Sequence, residues 1–198
     1  MIKKPEDYQF WRDFVPKMTP PWSGKLLDLS YSNPKTLEKK ILGFHPEGIS
    51  TGDTLNLWNY RRIIAKDNFA PSFYQSDISI VNWPQNDYFL GNIVDVDRKD
   101  FDHHFDKGKQ LSLSLFYWLQ TEVPRPDGRR GWPGLRLRND IMGTEDGLAK
   151  YPYIRESRRI KALFTILEEH VGAAQRAQIT GENGENLKSK FFDDSVGI

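Results

Sequence analysis

Between Arg125 and Lys161 the chain places eight arginines and two lysines against five acids, a local excess of +5. Eight of its thirteen arginines lie there. A guanidinium is a rigid fork of donors that suits carboxylates, phosphates and flat polarisable groups better than an ammonium does. Gly131, Gly134, Gly143 and Gly147, with Pro133 and Pro152, break the stretch into tight turns. Fixed charge on a loop-rich segment of this kind predicts either an anion site or a buried ion-pair network.

A second constellation is Asn82-Trp-Pro-Gln-Asn-Asp-Tyr88. Asn86, Asp87 and Tyr88 put an amide, a carboxylate and a phenol on one turn, a set able to hold a hydroxylated small-molecule substrate. The same residues also suit an Asx-type turn that satisfies its own backbone, with Trp83 and Tyr88 packed. The histidines, at 45, 103, 104 and 170, lack metal-ligand spacing. His103 and His104, adjacent on a helix, point about 100° apart and cannot easily share one ion. They read as solvated helix residues, and no metal site is expected. Ser157 has no nucleophile-elbow context, and no Ser-His-Asp arrangement is visible.

Three segments resemble one family. Arg155-Glu-Ser-Arg-Arg-Ile160, preceded by Gly143-Thr-Glu-Asp-Gly-Leu-Ala-Lys-Tyr-Pro-Tyr-Ile154, is similar to the central signature of bacterial FAD-dependent oxidoreductases. Ser76 to Tyr88 and Leu111 to Glu122 resemble the same family, which is distantly similar to the flavoprotein subunit of heterodisulfide reductase. The matches cover roughly residues 50–198 in the family's order. They imply hydride transfer from an unidentified organic substrate to FAD. By the same resemblance Arg155, Arg158 and Arg159 are candidate cofactor-binding residues. Strand alternation puts Arg155 and Arg159 on one face and Arg158 on the other, so at least one of them is structural. The other reading of these arginines pairs them with Glu145, Asp146 and Glu156.

Dinucleotide binding ordinarily uses a strand, a G-x-G-x-x-G turn and a helix N-terminus over the pyrophosphate. The glycines of Gly143-Thr-Glu-Asp-Gly and Gly181-Glu-Asn-Gly have other spacing and carry acids. The resemblance therefore implies the central, substrate-side fragment of a flavoenzyme, truncated at its C-terminus. Its flavin-holding ends would come from missing sequence or from another chain. Cysteine is absent, so the chain has no thiolate for an iron–sulfur cluster.

The elements that must position these groups are short, with one exception. Asp100 to Glu122 is the longest helix candidate, with Phe101, Phe105, Leu111, Leu115, Trp118 and Leu119 on one face and Pro124 beyond its end. Tyr8, Trp11, Phe14 and Val15 predict a short helix ending before Pro16. Gly24–Ser32 and Leu37–Phe44 predict a hairpin-like part within 1–49. Thr51–Ala65 alternates like a strand, as do Asp77–Val81 and Arg158–Ile166. Leu167–Ala177 suggests a weak helix, 180–190 a polar loop, and 191–198 the start of another strand. The expected fold class is α+β: a mixed or antiparallel sheet packed by the long helix, one region over 1–198. By resemblance it joins a larger α/β, Rossmann-like FAD-binding enzyme.

Composition narrows the function further. The 198 residues carry a net charge of +1 and 28% charged residues, which argues against nucleic-acid steering. No apolar run approaches the ~20 residues of a membrane span, and no signal peptide opens the chain. Localisation is open, and cytoplasmic if the N-terminus is genuine. Aromatics make up 13% of the chain. Interleaved with Asn, Asp and Gln, they raise an alternative: a carbohydrate-binding module with an exposed Trp/Tyr platform. Core packing would instead bury Trp58, Trp83 and Trp118. A phosphate- or RNA-binding domain built on the arginines is the third reading.

Overall fold

A computed structural model of the protein describes residues 1–16, 24–33, 36, 38–46, 54–83, 86–154, 162–172 and 174–175. The chain divides into two compact units, Met1–Tyr153 and Ile154–Ile198.

The first unit is built around one helix. Here α3 denotes Arg98–Thr121, 24 residues long. Leu111, Ser114, Leu115, Trp118 and Leu119 follow the i, i+3, i+4, i+7, i+8 rhythm, and all five are buried. Taking each of its three core leucines out of water stabilises the fold by roughly 2 kcal/mol. The Asp97 side chain accepts the Asp100 N–H at 2.8 Å and starts the helix. The expected apolar face is shorter than its periodicity suggested. Phe101 and Phe105 lie outside the core. They stack on each other with centroids 5.4 Å apart, and Arg98 and Lys109 cover them.

Against α3 packs α1, Tyr8–Asp13, which buries Tyr8 and Trp11. It follows the predicted spacing and ends at Phe14 in extended backbone. The hairpin-like part is present as β1, Ser30–Ser32, antiparallel to β2, Lys39–Ile41. The strand predicted from Gly24 is shorter, because Leu26 and Leu27 are both buried. Neighbours that turn the same way interrupt strand alternation.

The strand predicted over Thr51–Ala65 is overturned in part. Residues 51–53 lie outside the described residues, and Leu57–Tyr60 form a helical turn, α2. Asn56 causes the break: its carboxamide oxygen accepts the Trp58 N–H at 3.1 Å as an N-cap. The strand begins only at β3, Arg62–Ile64, antiparallel to β4, Ile78–Ser79. A short helix, α4, spans Asn139–Met142. The α+β class stands, as a long helix with two separate two-stranded antiparallel sheets.

In the second unit α5 spans Glu168–Val171. Residues 162–166 form no strand, contrary to the reading of Arg158–Ile166. Its remaining residues, with 180–190 and 191–198, lie outside the described residues. Among the described residues no helix is long and apolar enough to cross a membrane.

Candidate functional site

The turn carrying Asn86, Asp87 and Tyr88 leaves the core at Trp83, which is 4% exposed. The Asn86 N–H bonds to the Trp83 carbonyl at 2.9 Å and closes the turn. That much fits the self-satisfying Asx reading. The Asn86 side chain does not, because its Nδ2 is buried with no hydrogen-bond partner among the described residues. A buried donor of this kind costs stability unless something accepts from it. Asp87 is half-buried and engaged.

Tyr88 crosses to α3. Its Oη lies 2.7 Å from Nδ1 of His104, and its ring meets Trp11 edge-on at 5.9 Å. Burial pushes the Tyr88 phenol above its ordinary pKa. Oη and Nδ1 share one hydrogen bond, whose direction follows the imidazole tautomer. Gly91 also lies against this ring, so close that a Cβ there would overlap the imidazole. The loop thus meets His104 through two of its residues. The expectation of a solvated helix histidine fits the exposed His103 and fails for His104, which is half-buried. Nothing in a spacing of sixteen residues signals that pairing.

The arginine stretch is used locally. Arg125 places its guanidinium 3.9 Å over the Trp132 ring and pairs with Asp127 at 2.8 Å. Arg129 binds the same carboxylate at 2.6 Å. Those cations, Arg129 foremost, hold Asp127 at a pKa of about 2. Arg138 pairs with Asp140, and Arg136 donates to the carbonyls of Pro133 and Leu135. Lys109 pairs with Asp146 at 2.7 Å. Residues 125–146 thus form ion pairs, but these are partly to largely exposed rather than the expected buried network. Arg155, Arg158 and Arg159, the candidate cofactor contacts, lie outside the described residues.

A shallow cleft of about 280 Å³ opens between Ile2, Gln120, Arg136, Asn139 and Glu145. Gln120 sits sixteen residues beyond His104 on α3, roughly 24 Å along the axis. The cleft and the Tyr88–His104 pair are separate features. Among the described residues no cluster of three or more histidines and acids could hold a metal ion.

The 198 residues match a family model, FAD dependent oxidoreductase, over residues 6–198. The chain belongs to that family. The match includes most of the hairpin-like part, which the motif resemblance from residue 50 did not reach. No curated protein and no solved structure matches the chain. The family is one of FAD-dependent oxidoreductases, and by that membership the chain is of the oxidoreductase class.

The described residues do not by themselves fit FAD. The pyrophosphate needs converging backbone N–H groups at a glycine-rich turn before a helix. The turn entering α3 reads Val94-Asp-Val-Asp97, and its carboxylates would repel phosphate. Among the described residues the buried unpartnered donors include the indoles of Trp11, Trp58, Trp83 and Trp132, most of them in the aromatic core, with Asn86 Nδ2 and Arg125 Nε. All are side-chain groups, not the backbone N–H cradle a pyrophosphate needs. Trp83 and Trp118 are buried and Trp58 packs against the core, so these indoles form no exposed platform.

Proposed function

We propose that this chain supplies the substrate side of an FAD-dependent oxidoreductase. Asn86, Asp87 and Tyr88 bind a small hydroxylated substrate in this reading. The observation that carries it is the loop gripped onto α3 through Tyr88 and His104, with the Asn86 amide donor buried and unused. A donor without an acceptor suits the hydroxyl or carbonyl oxygen of a ligand.

FAD, when bound in the complete enzyme, supplies the hydride acceptor. Its pyrophosphate would be held by glycine-rich sequence that these 198 residues do not contain. Arg155, Arg158 and Arg159 are assigned to the flavin side on sequence grounds alone. The two-stranded β3–β4 sheet leaves Ile63 53% and Ile80 47% exposed. That supports a further layer packing there in the complete enzyme, since two strands alone are marginal.

The test is a titration of the isotope-labelled chain with L-lactate, a simple hydroxylated probe, followed by NMR. Shifts concentrated on the Asn86 side-chain amide, Asp87 and Tyr88 support the assignment. Shifts confined to the Gln120–Arg136 cleft, or none, contradict it.

A further inference from the structure

A neutral phenol such as that of Tyr88 has little basicity of its own. The imidazole 2.7 Å behind it changes what that oxygen can do. We propose that Tyr88 and His104 form a proton relay serving a substrate hydroxyl. The substrate O–H bond breaks as a new O–H bond forms at Tyr88 Oη. The original phenol proton passes at the same time to His104 Nδ1. The products are a substrate alkoxide and an imidazolium, so atoms and charge balance. Moving the proton to a group set back from the substrate leaves the oxygen electron-rich, the state from which a hydride departs most easily.

Three features favour a relay over a mere structural hydrogen bond. The donor–acceptor distance is within the range of a short, well-formed bond to nitrogen. Gly91 packs against the imidazole and limits its rotation, so Nδ1 stays aimed at the phenol. Trp11, 1% exposed, packs edge-on against the phenol ring at 5.9 Å. Tyr88 is the group that touches substrate, and His104 acts through it as a positioning and proton-accepting residue. The inference rests on reading the 86–88 turn as the substrate side.

The relay is testable without knowing the substrate. Phenylmethanesulfonyl fluoride reacts with a phenol by forming an O–S bond and expelling fluoride, and a neighbouring base takes the proton. The intact chain is treated with the reagent, and labelling at Tyr88 is timed by mass spectrometry beside the exposed Tyr60 and Tyr151. Positioned general bases contribute at least about a hundredfold, so His104→Gln should slow Tyr88 by about that factor. Tyr60 and Tyr151 should be unaffected. Equal Tyr88 rates in both proteins, or no labelling of Tyr88 in the wild type, would overturn the relay.

If His104→Gln alters the fold, seen as changed Tyr60 and Tyr151 rates, Tyr88→Phe gives a second readout. The ¹⁵N resonance of His104 Nδ1 must then move to that of an unbonded nitrogen, and an unchanged resonance overturns the proposal. A lactate response without base-assisted labelling sinks the relay alone. Base-assisted labelling without a lactate response sinks the substrate assignment.

Discussion

Gly131 sits against the carbonyl of Gln120, so close that a Cβ at Gly131 would overlap that oxygen. This contact lets the arginine-rich strap close over the end of α3. Trp132 donates its N–H to the Leu119 carbonyl at 2.9 Å, and Gly131 donates to Val123 at 2.8 Å. The Leu119 carbonyl, one of those a helix end leaves without a partner, is thereby satisfied by the next segment of chain. Gly131 also has a φ of +69°, which favours glycine.

Gly131→Ala should therefore destabilise the protein by at least about 2 kcal/mol, through left-handed strain and backbone overlap together. Gly108, inside α3 with open space around its Cα, is the matched contrast. Gly108→Ala should stabilise by about 0.5–1 kcal/mol. Urea unfolding of both variants measures the difference. Equal midpoints would mean that the strap does not cap the helix.

Asn56, 4% exposed, makes three hydrogen bonds with one amide: it accepts from His45 N and Trp58 N and donates to the His45 carbonyl. Asn56→Ala leaves those backbone groups buried without partners. A loss of about 2–4 kcal/mol is expected, since each orphaned group costs about 1–3 kcal/mol and relaxation recovers part of it. Asn56→Asp keeps the acceptor and loses the donor, so its midpoint should fall between wild type and alanine.

Tyr8 donates to Glu122 at 2.6 Å, and Arg12 holds the other carboxylate oxygen at 2.8 Å, tying α1 to the end of α3. Burial, then Glu122, raises the Tyr8 pKa well above its ordinary value. The fold thus favours the protonated phenol. Its contribution is fully present below the unfolded value of about 10 and is lost as pH rises beyond it. Tyr8→Phe should cost about 1–2 kcal/mol at neutral pH. It should also flatten the alkaline fall in stability above about pH 10, which thermal melts across pH would record.

The parts legible in the sequence were those where one residue class repeats on one face. Leu111, Leu115, Trp118 and Leu119 announced α3, and Tyr8 and Trp11 announced α1. Asn56 misled, because its neighbours alternate like a strand while its own amide caps a helical turn. Leu26 and Leu27 likewise cut short a strand that propensity favoured. At the candidate site, Asn86, Asp87 and Tyr88 stood out by type. His104 did not: sequence gives no sign that a loop will fold back one tyrosine onto one histidine. The family was readable from motifs, while the arginines at 155, 158 and 159, proposed for the flavin side, lie outside the described residues.

Asp127 gives an acid-side prediction. Arg129 and Arg125 lower its pKa to about 2, so its charged form supports the fold above the ordinary aspartate value of about 3.9. That support disappears as pH falls from about 4 through 2. Carboxyl ¹³C NMR should place the Asp127 midpoint near the lower figure. Asp127→Asn should shallow the acid limb of stability over that window, and an ordinary midpoint would mean that the two arginines are not held against it.

The central claim is that this chain is the substrate side of a flavoenzyme whose FAD is held by other sequence. It is tested most directly by incubating the purified chain with FAD, desalting it and reading the flavin band near ~450 nm, an absorbance that belongs to the cofactor itself. The account predicts colourless protein. A yellow chain with FAD retained in proportion to protein would contradict it, because these residues would then hold the pyrophosphate without a glycine-rich turn.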